Sequence, residues 1–199
     1  MEFILYAFAA LLLLVLALSF IAPARVEYTE EIIVEAPVAQ VYDDIRLQDH
    51  LMRWSAWPKE TGSTCTVDGS DGEVGTRVLF FTKAKRIGHQ EIIALEENNT
   101  VVLTLVGPGP PHHPRLRFDV RPCGETATTV AAHFVNDLPR PFNIIWKFAG
   151  LSAWTRRMHR KDLEGLKAFA EPPHQDSDGR VVGRPPGGDN PYQHREHAA

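Results

Sequence analysis

The chain has 199 residues, with 21 lysines and arginines against 25 aspartates and glutamates and a formal net charge of −4. So even a balance argues against a general nucleic-acid binder, and no nucleic-acid partner is expected. Its two cysteines, Cys65 and Cys123, lie far apart, fit no metal or redox spacing and read as free thiols.

Residues 3–22 are an almost uninterrupted apolar run, and no further charge enters before Arg25. At about 1.5 Å of rise per residue, that length crosses a hydrocarbon core of roughly 30 Å as one helix. A cleaved signal peptide fits less well. The start, Met1-Glu2, carries no Lys or Arg, the apolar core is long, and the cleavage-like Ala22-Pro23-Ala24 has a proline in its middle. A retained anchor over residues 1–25 is therefore expected, making a single-pass membrane protein. Arg25, Arg46 and Arg53 all follow the span, which favours a cytoplasmic body by the positive-inside rule.

Residues 26–171 have the size of one ordinary domain. Residues 27–35 alternate, with Tyr28, Ile32 and Val34 on one side, which predicts a half-buried strand. Pro37 ends it and suits the first turn of a helix, where Val38, Val41, Tyr42 and Ile45 recur at helical spacing. A second short helix over residues 48–53 leads into Trp54-Ser55-Ala56-Trp57-Pro58. The period then switches to strands over residues 64–67, 76–83, 87–95, 100–106, 115–121 and 126–135. Asn98-Asn99 reads as a tight hairpin turn, because Asn tolerates positive φ. The alternation of Leu116, Phe118 and Val120 with Arg115, Arg117 and Asp119 implies an antiparallel sheet with one wet face.

The last element is expected to be one long helix, starting between Pro141 and Trp146 and running to Glu171, where Pro172-Pro173 stops it. Residues 172–199 hold Pro, Gly and almost no large apolar side chains, so a disordered tail is expected. Its histidines, His174, His194 and His197, read as solvated spacer rather than metal ligands.

Four stretches fall at the joints of this order. They are Ile32-Ile33-Val34-Glu35-Ala36-Pro37 with Val41-Tyr42, then Arg53-Trp54-Ser55-Ala56-Trp57, then Glu73-Val74-Gly75-Thr76, and finally Asp162-Leu163-Glu164-Gly165-Leu166-Lys167 with Glu171. Together they resemble the START-like (SRPBCC) superfamily, the helix-grip group that includes Bet v 1-like and polyketide cyclase/dehydrase-like proteins. The resemblance implies an α+β fold in which a curved antiparallel sheet grips a long C-terminal helix, here preceded by one transmembrane helix. It further implies an apolar cavity between sheet and helix. Members bind lipids, sterols, polyketides or quinone-like molecules, and some are cyclases, dehydratases or hydrolases, so the fold alone does not fix the function.

The inner faces that would line such a cavity carry Trp54, Trp57, Val78, Phe80, Leu103, Leu105, Leu116, Phe118, Val130 and Phe134, and on the helix Phe148, Leu151, Thr155 and Met158. The same pattern describes a filled core. Arg77 and His89 are candidate polar groups for orienting a ligand, and His89 or His133 would serve as an acid or base if either pointed inward. Adjacent His112-His113 point apart in extended chain and chelate poorly. No nucleophile elbow, Walker loop or dinucleotide fingerprint is present, and no catalytic residue, metal or cofactor is assigned.

Arg156, Arg157, Arg160 and Lys161 lie in a stretch without acids and form a candidate membrane-facing basic patch. The same run also describes an ordinary solvated helix face. The expected function is membrane-anchored binding of a hydrophobic small molecule or lipid in the apolar cavity. The alternatives are a polyketide cyclase- or hydrolase-like enzyme acting on an aromatic substrate, and a protein-interaction module with a filled core.

Overall fold

The computed structural model describes residues 2–83, 85–107, 113–171, 174–175 and 181–182. The first helix, α1 (Glu2–Ile21), is apolar all round, and Ser19 is its only buried residue. It is long and apolar enough to cross a membrane.

Strand β1 (Arg25–Val34) alternates as expected, turning Tyr28, Glu30, Ile32 and Val34 inward. Pro37 precedes α2 (Val38–Arg46) at φ −62°, already suited to entering a helix, and α2 buries Val41, Tyr42 and Ile45. In α3 (Gln48–Trp54) the first backbone N–H groups, those of Gln48 and Asp49, donate to the Asp71 carboxylate at 2.6 and 3.3 Å. That carboxylate supplies the cap that the preceding Leu47 cannot. A third short helix, α4 (Trp57–Thr61), has Pro58 in its first turn and ends at Gly62. Its five residues are too few for a periodic signal, and no element is expected there from the sequence.

Six strands follow: β2 (Thr64–Asp68), β3 (Arg77–Thr82), β4 (Lys85–Glu96), β5 (Thr100–Val106), β6 (Arg115–Cys123) and β7 (Ala127–Asp137). With β1 they form one sheet in the order β1-β7-β6-β5-β4-β3-β2, every pair antiparallel. Asn98 takes φ +53° in the β4–β5 turn, as the Asn-Asn pair suggested. Register shifts at Phe80/Phe81 and Ile92/Ala94 add the local bend and twist that bulges bring to a sheet.

The expected single C-terminal helix is two. Helix α5 (Asn143–Phe148) stops, Gly150 takes φ +68°, and α6 (Leu151–Ala170) begins. Helical spacing holds on both sides of the break, so apolar periodicity alone runs straight through it. Helix α6 lies against β1, α2 and α3. At Gly165 its backbone approaches α3 so closely that a Cβ would stand 2.3 Å from the Trp54 carbonyl oxygen. The result is the helix-grip fold, a seven-stranded antiparallel sheet wrapped over a C-terminal helix.

Within the segment expected to lack structure, His174–Gln175 pairs with Val181–Val182 as two short strands, β8 and β9. The rest of the tail, with His194 and His197, lies outside the described residues, as does His112.

Candidate ligand cavity

Between the inner face of the sheet and α6 lies a cavity of about 690 Å³. That is within the range of small-molecule sites, roughly 300–1,000 Å³. Its sheet wall follows from strand alternation. Leu103 on β5 is the cross-strand neighbour of Leu116 on β6, which in turn neighbours Phe134 on β7, and all three face the space. Leu51, Trp54 and Trp57 close it from the short helices, and Leu151 and Thr155 from α6. Trp54 is held in place because its indole N–H donates to the Asp44 carbonyl at 2.9 Å. The exposed lining residues Phe142, Ile145 and Trp154 mark a mouth at α5 and the start of α6.

Of the side chains expected at the wall, Trp54, Trp57, Phe80, Leu103, Leu105, Leu116, Phe118, Phe134, Leu151 and Thr155 line this space. Val78, Val130 and Met158 are buried in packed interior outside it. Phe148 is 63% exposed, because the break at Gly150 takes it off the α6 stripe.

Both proposed polar orienters are turned away. Arg77 lies on the outer face, where its Nε donates to Glu91 at 2.8 Å. His89 forms part of the wall, yet its ring shares that outer face, with Nδ1 3.1 Å from Arg86 and Nε2 4.0 Å from Glu91. His133 is also outside, 2.7 Å from Thr29 and 3.3 Å from Asp119. In a strand, alternation decides direction, and these three share the parity of the wet face.

The titratable groups that do reach the cavity wall are His159 and Asp162, and Tyr28 stands behind the first of them. The Tyr28 hydroxyl is 3.0 Å from His159 Nδ1, joining β1 to α6. The imidazole lies among aromatic rings, with centroids 4.9 Å from Phe134 and 5.9 Å from Trp57. Burial lowers its pKa to about 4, so it is neutral near pH 7, and its Nε2 has no hydrogen-bond partner among the described residues. Burial likewise raises Tyr28, which keeps its proton.

One turn further along α6, Asp162 accepts from the Ala56 N–H at 2.7 Å and the Ser55 hydroxyl at 3.1 Å, with a further hydrogen bond from the Trp57 side chain. These bonds pin the α3–α4 corner onto α6. Burial outweighs all three and pushes the carboxyl up to about 7. Thr155, His159, Asp162 and Leu166 fall at i, i+4, i+7 and i+11. That spacing is the sequence signal for this face, and a search for apolar residues alone passes over it.

The basic residues of α6 are largely answered within the domain. Arg160 donates to Glu30 at 3.0 and 2.9 Å, Arg156 also bonds Glu30, and Lys161 pairs with Glu60. Burial pushes Glu30 upward, but the two guanidiniums overcome it and hold the carboxyl below the usual range. Arg157 makes no ion pair among the described residues. The acids that answer this run come from distant elements, so a local reading of charge overstates the patch. Among the described residues, no three His, Cys, Asp or Glu side chains are placed to hold a metal ion.

A bent antiparallel sheet closed over a helix, with an apolar cavity between them, defines a helix-grip domain of the hydrophobic-ligand-binding kind. Residues 25–171 match the family model described as polyketide cyclase / dehydrase and lipid transport, and the chain belongs to that family. No curated protein matches it.

Among solved structures, protein CV1439 from Chromobacterium violaceum is 16% identical, with 74% of this chain and 99% of that one covered at a TM-score of 0.56. Truncated norcoclaurine synthase from Thalictrum flavum is 13% identical, covering 69% and 91% at 0.52. The Aha1 dimer from Colwellia psychrerythraea is 19% identical, covering 73% and 96% at 0.52. Likeness at these identities is likeness of fold.

Proposed function

We propose that this is a membrane-anchored binding protein that holds a hydrophobic small molecule or lipid in the cavity between sheet and α6. In this reading residues 1–25 anchor the chain, residues 26–171 bind the ligand and residues 172–199 form a tail. The observation that carries the reading is the apolar space of about 690 Å³ under the sheet. The family description, which includes lipid transport, supports it. Burial drives the binding. Each 100 Å² of apolar ligand surface removed from water contributes roughly 2.5 kcal/mol, before the cost of ordering the ligand. The test is titration of the full chain in lipid nanodiscs with a fluorescent fatty-acyl probe. Saturable uptake that falls at least about tenfold in Thr155→Trp, which pushes an indole into the space, supports the reading. No uptake, or uptake indifferent to the substitution, contradicts it.

A second reading, an enzyme of cyclase or hydrolase type, draws on His159 and Asp162, buried titratable groups three residues apart in the cavity wall. A carboxyl near pKa 7 suits proton transfer at neutral pH. This reading expects Asp162→Asn to abolish product formation from an aromatic polyketide while ligand affinity holds. Unchanged turnover in that variant contradicts it.

A further inference from the structure

The end of α1 is tied directly to α5. Asn143, wholly buried, accepts a hydrogen bond from the Ser19 hydroxyl at 3.1 Å. Its amide NH₂ donates to the Ser19 and Ala22 carbonyls at 2.8 and 2.9 Å. Arg140 adds a bond from Nε to the Ser19 carbonyl at 3.2 Å and places its guanidinium 5.1 Å from the Phe20 ring centroid. The Leu138 N–H donates to the Ala24 carbonyl at 2.7 Å.

These contacts fix depth. Ser19 is two residues, about 3 Å of rise, from the end of α1. A helix bonded to that point sits where a spanning α1 leaves the hydrocarbon. At that level the segment presents Phe142, Ile145 and Phe148, spaced three apart on one face and all exposed, with Ile145 at 54%. Exposed apolar residues clustered this way mark an interaction surface rather than ordinary exterior. Arg140 and the exposed Lys147 flank them, as cations flank an apolar face that rests at phosphate headgroups.

We propose that the face of α5 formed by Phe142, Ile145 and Phe148 lies in the headgroup–acyl boundary of a phospholipid bilayer beside the end of α1, so that the cavity mouth opens onto lipid. This rests on the membrane-anchored reading and specifies which surface meets the membrane. Phe142 and Ile145 line both the mouth and the apolar face, so a ligand passing from bilayer to cavity crosses little water. The contact surface is thus α5, and Arg156 and Arg160 of α6 are engaged with Glu30 instead.

The test uses the full chain in phosphatidylcholine vesicles with Cys123→Ser removing the exposed thiol. Cys65 stays unlabelled, since burial pushes its thiol up to about 11. An environment-sensitive fluorophore is attached in turn at Ile145→Cys, at Leu12→Cys within α1, and at Glu125→Cys in the β6–β7 turn at the far end of β7. The expected result is blue-shifted emission at 145, quenched several-fold more by a doxyl group near the headgroup than emission at 125, with 12 quenched by a deep doxyl group. Emission at 145 matching that at 125, while 12 is quenched, overturns the α5 proposal and leaves the anchor standing. No quenching at 12 overturns both. Blue-shifted emission at 145 that no lipid quencher touches assigns the face to a second copy or another protein and overturns the proposal.

Discussion

The Tyr28 hydroxyl and His159 Nδ1, 3.0 Å apart, bind the first strand of the sheet to the helix it grips. Because the hydroxyl keeps its proton and the imidazole is neutral, two arrangements exist. Either Tyr28 donates to Nδ1 and the ring proton sits on Nε2, or Nδ1–H donates to Tyr28 and Nε2 keeps a lone pair. In both, Nε2 is left with one unused hydrogen-bonding position at the cavity wall.

The pair makes a measurable coupling. Tyr28→Phe and His159→Phe each preserve a ring in the aromatic cluster while orphaning the other partner, so each is expected to cost about 1–2 kcal/mol. The double variant should be less destabilised than the sum of the singles, by about 1 kcal/mol. Equilibrium unfolding in detergent measures all four corners of the cycle. Strict additivity contradicts the bond.

Two buried groups on α6 act on stability in opposite directions. Asp162 is near 7 folded and about 4 unfolded, so its contribution is full below about 4 and is lost as pH rises toward 7. His159 is near 4 folded and about 6.5 unfolded, so its contribution is full above about 6.5 and is lost as pH falls toward 4. Each slope reaches up to about 1.4 kcal/mol per pH unit, and in the wild type they largely cancel. His159→Phe should therefore lose stability as pH rises from about 4 to 7, and Asp162→Asn should gain it from about 4 to 6.5. Parallel pH profiles for the two variants contradict these assignments.

Gly165 is the close approach between α6 and α3. In Gly165→Ala the added Cβ meets the Trp54 carbonyl oxygen at 2.3 Å, so backbone has to move. The expected loss is about 1–3 kcal/mol, read as a lower melting temperature. Gly150→Ala has open space but a left-handed φ of +68°, and should cost about 1–2 kcal/mol. A Gly165→Ala protein as stable as the wild type contradicts the packing.

Glu30 is 8% exposed and serves both Arg156 and Arg160, whose side chains are more than half exposed. Solvent screening at the arginines limits what Glu30→Gln removes to about 1 kcal/mol near neutral pH. The two guanidiniums hold Glu30 ionised to lower pH than an unpaired glutamate, so the loss should persist down through the ordinary carboxylate range and vanish only once Glu30 itself is protonated. Thermal melts across that range check it.

Much of this arrangement was legible in the residues, because strand parity is local. Leu103, Leu116 and Phe134 could be assigned inward from alternation alone, and Tyr28 was placed on the inner side of β1. The same parity, with Val78 and Gln90 inward, turns Arg77 and His89 outward, and a role as orienters sets that alternation aside. His159 and Asp162 were overlooked for a different reason. A buried polar side chain is recognised by what surrounds it, and Tyr28, Ser55 and Ala56 reach α6 only through the fold. Glu30 is the same lesson in charge, since its arginines lie 126 and 130 residues away.

The account stands on an apolar cavity that takes up a ligand, and native mass spectrometry of the full chain released from lipid nanodiscs reads occupancy directly. The predicted result is a one-to-one adduct that extracts into organic solvent and is lost in Thr155→Trp. A bare-chain mass, unchanged when lipids, quinones and aromatic polyketides are offered, would contradict it.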